Sequence, residues 1–305
     1  MDPPPPARRC MKISAAVTLA IAAALGCPAA QAETPAPAQA CAAYALPDTE
    51  VWNLAAPGGE AYRIFVSRPP GEAPEGGFPV LYVLDGNALF AGFAEARRIQ
   101  SHGEEKLDRM IVVGIGYPGD TAYSARRLAD FTPPPPQPLP AAQAKLADLP
   151  MGGNERFLSF IMDTLRPEIA RRHPVNAGRQ SLYGHSLGGL FALHVLYSRP
   201  EAFHAIIAAS PSLWWDDQAI LHQERAFTTR IGQTAAPGPM ARLLLLVGER
   251  DAQVSIGDTA ALGARLEKLS AHGLRSEFRL LDGETHISVP ARSITLSLRK
   301  AMEWP

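Results

Sequence analysis

Cysteine is scarce in this chain and confined to its start: Cys10, Cys27 and Cys41 are the only three in 305 residues. That excludes a disulfide framework for the remainder, which must be held by its core alone. No Cys/His cluster has zinc spacing, and no cofactor is expected. An excess of charge of one sign is also missing. Lys and Arg number 29 against 30 Asp and Glu, for a net charge of −1, and no Lys/Arg run occurs. This argues against a nucleic-acid partner. The apolar run Ile13–Leu25 is too short for a membrane span. No internal repeat is visible.

What the N-terminus does hold is the pattern of an export signal. Arg8, Arg9 and Lys12 precede the apolar run, and the small-x-small triplet Ala30-Gln31-Ala32 follows it. A secretory signal over residues 1–32, cleaved after Ala32, is therefore expected. Cleavage leaves Cys41 as the one cysteine, within a Pro/Ala-rich leader over 33–45, and residues 46–305 as the folded domain. Lipidation at Cys27 is the second reading, since the usual leucine three residues earlier is absent. Met11 is a second candidate start.

Beyond the leader, short apolar runs alternate with longer amphipathic ones. Strands are expected at 50–54, 62–67, 79–84, 110–116, 180–184, 205–210, 242–247 and 276–281. The middle ones are continuously apolar, which suits strands buried on both faces of a parallel sheet. Helices are expected at 88–101, 154–172, 187–198, 258–271 and 289–303. The order predicts a three-layer α/β fold with a mostly parallel sheet and right-handed crossovers. The proline-rich stretch 132–140 reads as an extended surface connector.

Chemistry enters at Gly184-His185-Ser186-Leu187-Gly188, a G-x-S-x-G between a strand and a helix. This is the pattern of a nucleophile elbow, a turn so sharp that flanking side chains would collide. A serine needs a base, and in such folds the partners follow in the order Ser, Asp/Glu, His. Asp251 lies just past the strand at 242–247, and His286 just past the strand at 276–281. Ser186, Asp251 and His286 are thus the candidate triad, with Glu249 as the alternative acid. His185 is read as pointing away from the site. Two backbone N–H groups are needed to hold an oxyanion. Leu187, after the serine, and Gly86, in the turn after the third strand, are the candidates.

Several stretches together resemble the enterochelin esterase-like, or esterase D-like, branch of the α/β-hydrolases. They are "LYVLDGNALF" (81–90), "RRLADFTP" (126–133), "GGNERFLSFI" (152–161), "YGHSLGGLFAL" (183–193), "ASPSLWW" (209–215), "LLVGERD" (245–251) and "GETH" (283–286). The resemblance spans almost all of residues 45–303 and implies an α/β-hydrolase fold and serine esterase activity. Among exported members it points to periplasmic hydrolases of ferric catecholate siderophores such as enterobactin, whose trilactone ring they open. Such substrates are bulky, aromatic and anionic, so a pocket for them should offer cations and flat surfaces. Arg127 is one candidate contact, its alternative being a salt bridge with Asp130. Trp214 and Trp215 are the others, with core packing as the alternative.

The expected partner is accordingly a small-molecule ester, with any iron arriving as part of the substrate. Contact with a siderophore-uptake receptor is compatible with this reading. A general exported acyl or feruloyl esterase, or an acyltransferase, is the second reading. A non-catalytic siderophore-binding protein is the third, although it has no need of all three triad residues.

Overall fold

The continuously apolar segments in the middle of the chain form strands that are buried along their whole length. β3 (Phe78–Leu84), β4 (Ile111–Gly116), β6 (Ala205–Ala209) and β7 (Arg242–Gly248) are of this kind. A computed structural model describes residues 44–100, 107, 109–135, 148–234 and 238–303. The expected signal, nearly all of the leader and the 136–140 part of the proline-rich stretch lie outside the described residues. Residues from Ala45 onward form one compact unit.

Eight strands make one sheet in the order β1-β2-β4-β3-β5-β6-β7-β8. β1 (Thr49–Ala55) and β2 (Ala61–Ser67) pair antiparallel at one edge, and β2 runs antiparallel to β4. From β4 through β3, β5 (Val175–His185), β6 and β7 to β8 (Ser276–Leu281) every pairing is parallel. This is the α/β-hydrolase arrangement that the sequence predicts.

Successive side chains of a strand face opposite ways, and here both faces are covered. Val80, Tyr82 and Leu84 of β3 join one apolar cluster, with Phe191, Leu193 and Phe227. Leu81 and Val83 join the other, with Phe93, Val289 and Leu298. The second cluster is roofed by α1 (Gly86–Ile99) and α8 (Val289–Met302). The first is roofed mainly by α5 (Leu187–Ser198) and α6 (Ile220–Gly232), with α7 (Gln253–Glu267) beside them. α5 is buried almost all round, so its apolar sequence has no polar face.

Some expected elements differ. The stretch 154–172 is not one regular helix. α3 (Asn154–Ser159) passes through a π-type turn, Phe160–Leu165, into α4 (Arg166–Arg172). Pro167 has no N–H for the carbonyl of Asp163, so the regular ladder cannot run through. α2 (Arg127–Phe131) is a short helix where none is expected. α6 is also additional. Its buried Ile220, Phe227 and Ile231 keep helical spacing, but polar residues between them mask the pattern.

Candidate active site

The C-terminal ends of the parallel strands converge, which is where such sheets build their sites. β5 ends at His185, and Ser186 turns the chain directly into α5. Ser186 has φ 60° and ψ −117°, a conformation that side chains rarely adopt. The strain is over-determined by its surroundings. The Ser186 N–H donates to the Ala209 carbonyl (3.0 Å), and its carbonyl accepts from the N–H of Ser212 (3.1 Å) and Leu190 (3.0 Å).

The glycines of the elbow divide in role. A Cβ on Gly184 would fall on the Gly188 carbonyl, so only glycine fits there. A Cβ on Gly188 would meet only Leu84 and Asp85 at 3.5–3.7 Å, an ordinary contact. The expectation that both flanking glycines are sterically required is therefore corrected for Gly188. The close approach falls one residue later. A Cβ on Gly189 would lie 3.0 Å from Pro211 Cα.

Three expected partners meet here from separate strand ends. His286 Nε2 lies 3.1 Å from Ser186 Oγ, and His286 Nδ1 lies 3.0 Å from Asp251 Oδ2. A carboxylate only accepts, so Nδ1 carries the proton in the neutral ring. Nε2 is then left as an acceptor for the serine hydroxyl. The Asp251 side chain is buried, and its Oδ1 accepts from the Ala252 N–H (2.7 Å). Burial pushes this carboxyl up, but the hydrogen bonds from His286 and Ala252, with Ser210 nearby, outweigh it and hold the group below the usual carboxylate range. Glu249, the alternative acid, faces away and accepts from the Gly283 N–H (2.9 Å). The arrangement can take a proton from the Ser186 hydroxyl at Nε2 while Asp251 steadies the charged ring.

Gly86 and Leu187 each open a helix, α1 and α5, so neither N–H has a partner within its own helix. The turn after β3 lies beside the start of α5, with Gly188 close to Leu84 and Asp85. Gly86 is also required for packing. A Cβ there would stand 2.8–3.0 Å from the β4 backbone at Gly114 and Ile115. Asp85, immediately before it, takes φ 55° and is buried.

Arg127 holds Asp85 with both arms of its guanidinium, Nε to Oδ1 at 2.7 Å and Nη2 to Oδ2 at 2.9 Å. The salt bridge expected with Asp130 is therefore made with Asp85, a residue 42 positions away. Arg127 also packs over the rings of Tyr123 (5.6 Å) and Phe131 (5.2 Å). Asp130 instead lies buried beside Tyr117 and Tyr62. The two tryptophans separate. Trp215 is 1% exposed and belongs to the core, so its reading as a substrate contact is corrected to packing. Trp214 is 44% exposed.

Two further residues touch the constellation. Ser212 Oγ lies 3.2 Å from Ser186 Oγ, and "ASPSLWW" is the sequence stretch that holds it. His185 does not point away. Its Nε2 lies 2.8 Å from the backbone carbonyl of His286, and the two imidazoles pack at 4.8 Å. Among the described residues no group of acidic, His or Cys side chains could hold a metal ion. Nor is any described helix long and apolar enough to cross a membrane.

Comparison with known proteins identifies the family. The ferri-bacillibactin esterase BesA of Bacillus subtilis (strain 168) is 38% identical over 273 residues, covering 85% of this chain and 91% of that protein. A siderophore enterobactin esterase of Emericella nidulans is 37% identical over 203 residues, covering 63% of this chain and 67% of that one. The crystal structure of the BES protein from Bacillus cereus superposes with a TM-score of 0.78 at 33% identity, covering 87% of this chain and 98% of that one. The family described as "Putative esterase" matches residues 56–287. The chain belongs to that family, on an α/β-hydrolase fold, and is a carboxylic ester hydrolase.

Proposed function

We propose that the chain is a serine esterase that opens ester bonds of siderophores, with Ser186 as nucleophile. The observation that carries the reading is the unbroken relay from Asp251 through His286 to Ser186 Oγ, at 3.0 and 3.1 Å. In the first step Ser186 Oγ bonds to the ester carbonyl carbon as its proton passes to His286 Nε2. The carbonyl oxygen becomes an oxyanion, held by the N–H groups of Gly86 and Leu187. Collapse breaks the bond to the leaving alkoxide, which takes the proton from His286. Water then attacks the acyl-enzyme, with His286 again as base, and releases the acid and Ser186.

The relatives and two exposed aromatic rings support the substrate class. The relatives named above are esterases of ferri-bacillibactin and enterobactin. Trp214 and Tyr123 are both 44% exposed and offer flat apolar surface to catechol rings. A ferric catecholate trilactone is the substrate that we favour, with iron as its cargo. The signal read over residues 1–32 supports a periplasmic setting for this reaction, with a siderophore-uptake receptor as the expected neighbour. A chain recovered from the periplasm with Glu33 at its N-terminus supports that placement, and one retained in the cytoplasm at full length contradicts it.

The test incubates the purified protein with ferric and iron-free enterobactin, beside a short p-nitrophenyl ester, and follows products by mass. Ring opening lost in Ser186→Ala supports the proposal. Cleavage of the small ester alone keeps the esterase and removes the siderophore. Binding without any turnover removes the catalytic reading.

A further inference from the structure

His286 sits in the short connection between β8 and α8, and its neighbour Ile287 is 78% exposed. The imidazole itself is about one-third exposed, so close packing alone does not fix it. The connection is held at its first residues, where the Gly283 N–H donates to Glu249 Oε2 (2.9 Å) and the Glu284 carbonyl accepts from the Arg250 N–H (2.8 Å). At its far end Thr285 and Ser288 bond each other, with the Thr285 N–H 2.9 Å from Ser288 Oγ. At His286 itself the backbone is held by His185, whose Nε2 lies 2.8 Å from the His286 carbonyl across 101 positions of sequence.

A carbonyl only accepts, so His185 Nε2 carries a hydrogen and its Nδ1 does not. Burial, and then the nearby His286 and Arg127, push the His185 imidazole down to about 3, so it is neutral across the working range. It is therefore neither a proton carrier nor a competitor for the Ser186 proton. Its own backbone is fixed as the last residue of β5, next to the nucleophile. The bond thus ties the base's loop to the strand that carries the nucleophile.

We propose that His185 is a positioning residue: its Nε2–H holds the His286 backbone so that the His286 ring stays between Asp251 and Ser186. The proposal rests on the Ser186–His286 reading above. Displacing a catalytic group by about 1 Å can lower turnover roughly a hundredfold. The side chain bonds the His286 carbonyl rather than the Ser186 hydroxyl or the His286 ring nitrogens, so the loss falls on kcat rather than on KM.

The test compares His185→Leu, His185→Gln and His185→Asn on a p-nitrophenyl ester, with fluorophosphonate labelling of Ser186 as a second readout. A glutamine amide nitrogen reaches the place of Nε2, whereas an asparagine reaches only that of Nδ1. The leucine and asparagine variants are expected to lose kcat roughly ten- to a hundredfold, keep KM within about twofold and label more slowly by the same factor. Glutamine is expected to restore most of the rate. Wild-type kcat in the leucine variant overturns the proposal, as does a loss confined to KM. If the leucine variant is not recovered folded, the Gln/Asn pair decides, and equal activities overturn it. Activity surviving in Ser186→Ala would instead remove the underlying site reading, so the two failures are distinct.

Discussion

Arg127 grips Asp85 through two hydrogen bonds, 2.7 and 2.9 Å long, directly before Gly86. The arginine side chain is 16% exposed and the aspartate 1%, so the pair is largely shielded from water. Removing one partner of such a pair leaves the other charge buried and alone, at a cost of about 3–5 kcal/mol. Arg127→Ala is therefore expected to lower stability by that order in urea unfolding, and to reduce kcat on a small ester by loosening the Gly86 turn. Lysine, which cannot fork, should not rescue it. An unchanged unfolding midpoint would mean that Arg127 serves the substrate alone.

Asp251→Asn should leave the fold in place and lower kcat strongly, on the order of 10³–10⁴-fold, because the ring then loses the partner that fixes its tautomer. Glu249→Gln should stay within about twofold, since its carboxylate holds Gly283 rather than His286. Steady-state rates on a p-nitrophenyl ester check both, and the reverse ranking would exchange the acid.

The elbow glycines should respond in opposite ways. Gly184→Ala places a methyl on the Gly188 carbonyl and is expected to destabilise by about 1–3 kcal/mol or more, or to prevent folding. Gly188→Ala meets only contacts of 3.5 Å or longer, and alanine favours the helix, so stability should change by less than about 1 kcal/mol. Chemical denaturation of the two variants gives the comparison.

The tryptophans give a second contrast. Trp215→Ala empties a core position and should cost about 3–5 kcal/mol. Trp214→Ala should leave the unfolding midpoint nearly unchanged. It should raise KM for an aromatic siderophore while sparing a short alkyl ester. Equal effects on both esters would remove Trp214 from substrate recognition.

Acid sensitivity should also depend on His185. Its imidazole is pushed down to about 3 in the fold, whereas a free one titrates near about 6.5. Between those pH values the unfolded chain binds a proton that the folded chain does not, so stability falls as pH is lowered through that window. Asp251, held below its ordinary value, loses its contribution in the same direction at the acid end. His185→Gln removes the first contribution and keeps the second. The decline of the urea midpoint from about pH 7 to about pH 4 should therefore be shallower in the variant.

Much of the fold, and the meeting of Ser186, His286 and Asp251, is legible in the sequence because it depends on local pattern and chain order. β3, β4, β6 and β7 are apolar throughout because helices cover both faces, and that leaves a continuous apolar run. Ser186 announces itself through the glycines of one turn. What is not legible is side-chain direction and long-range pairing. Glu249 and Asp251 both follow the end of β7, and only the path of the backbone turns one toward Gly283 and the other toward His286. Arg127 and Asp85 are 42 residues apart, and nothing local in "RRLADFTP" selects Asp85 over the nearer Asp130. The role of His185 is hidden for the same reason, since its partner is a backbone carbonyl 101 positions away.

In the proposed mechanism His286 and Asp251 activate the hydroxyl of Ser186. Fluorophosphonate labelling, with the adduct located by peptide mass and its rate compared with His286→Ala, tests this most directly. A single adduct on Ser186 is expected, forming at least about a hundredfold more slowly without His286. An adduct on another residue, or an equal rate in the variant, would contradict it.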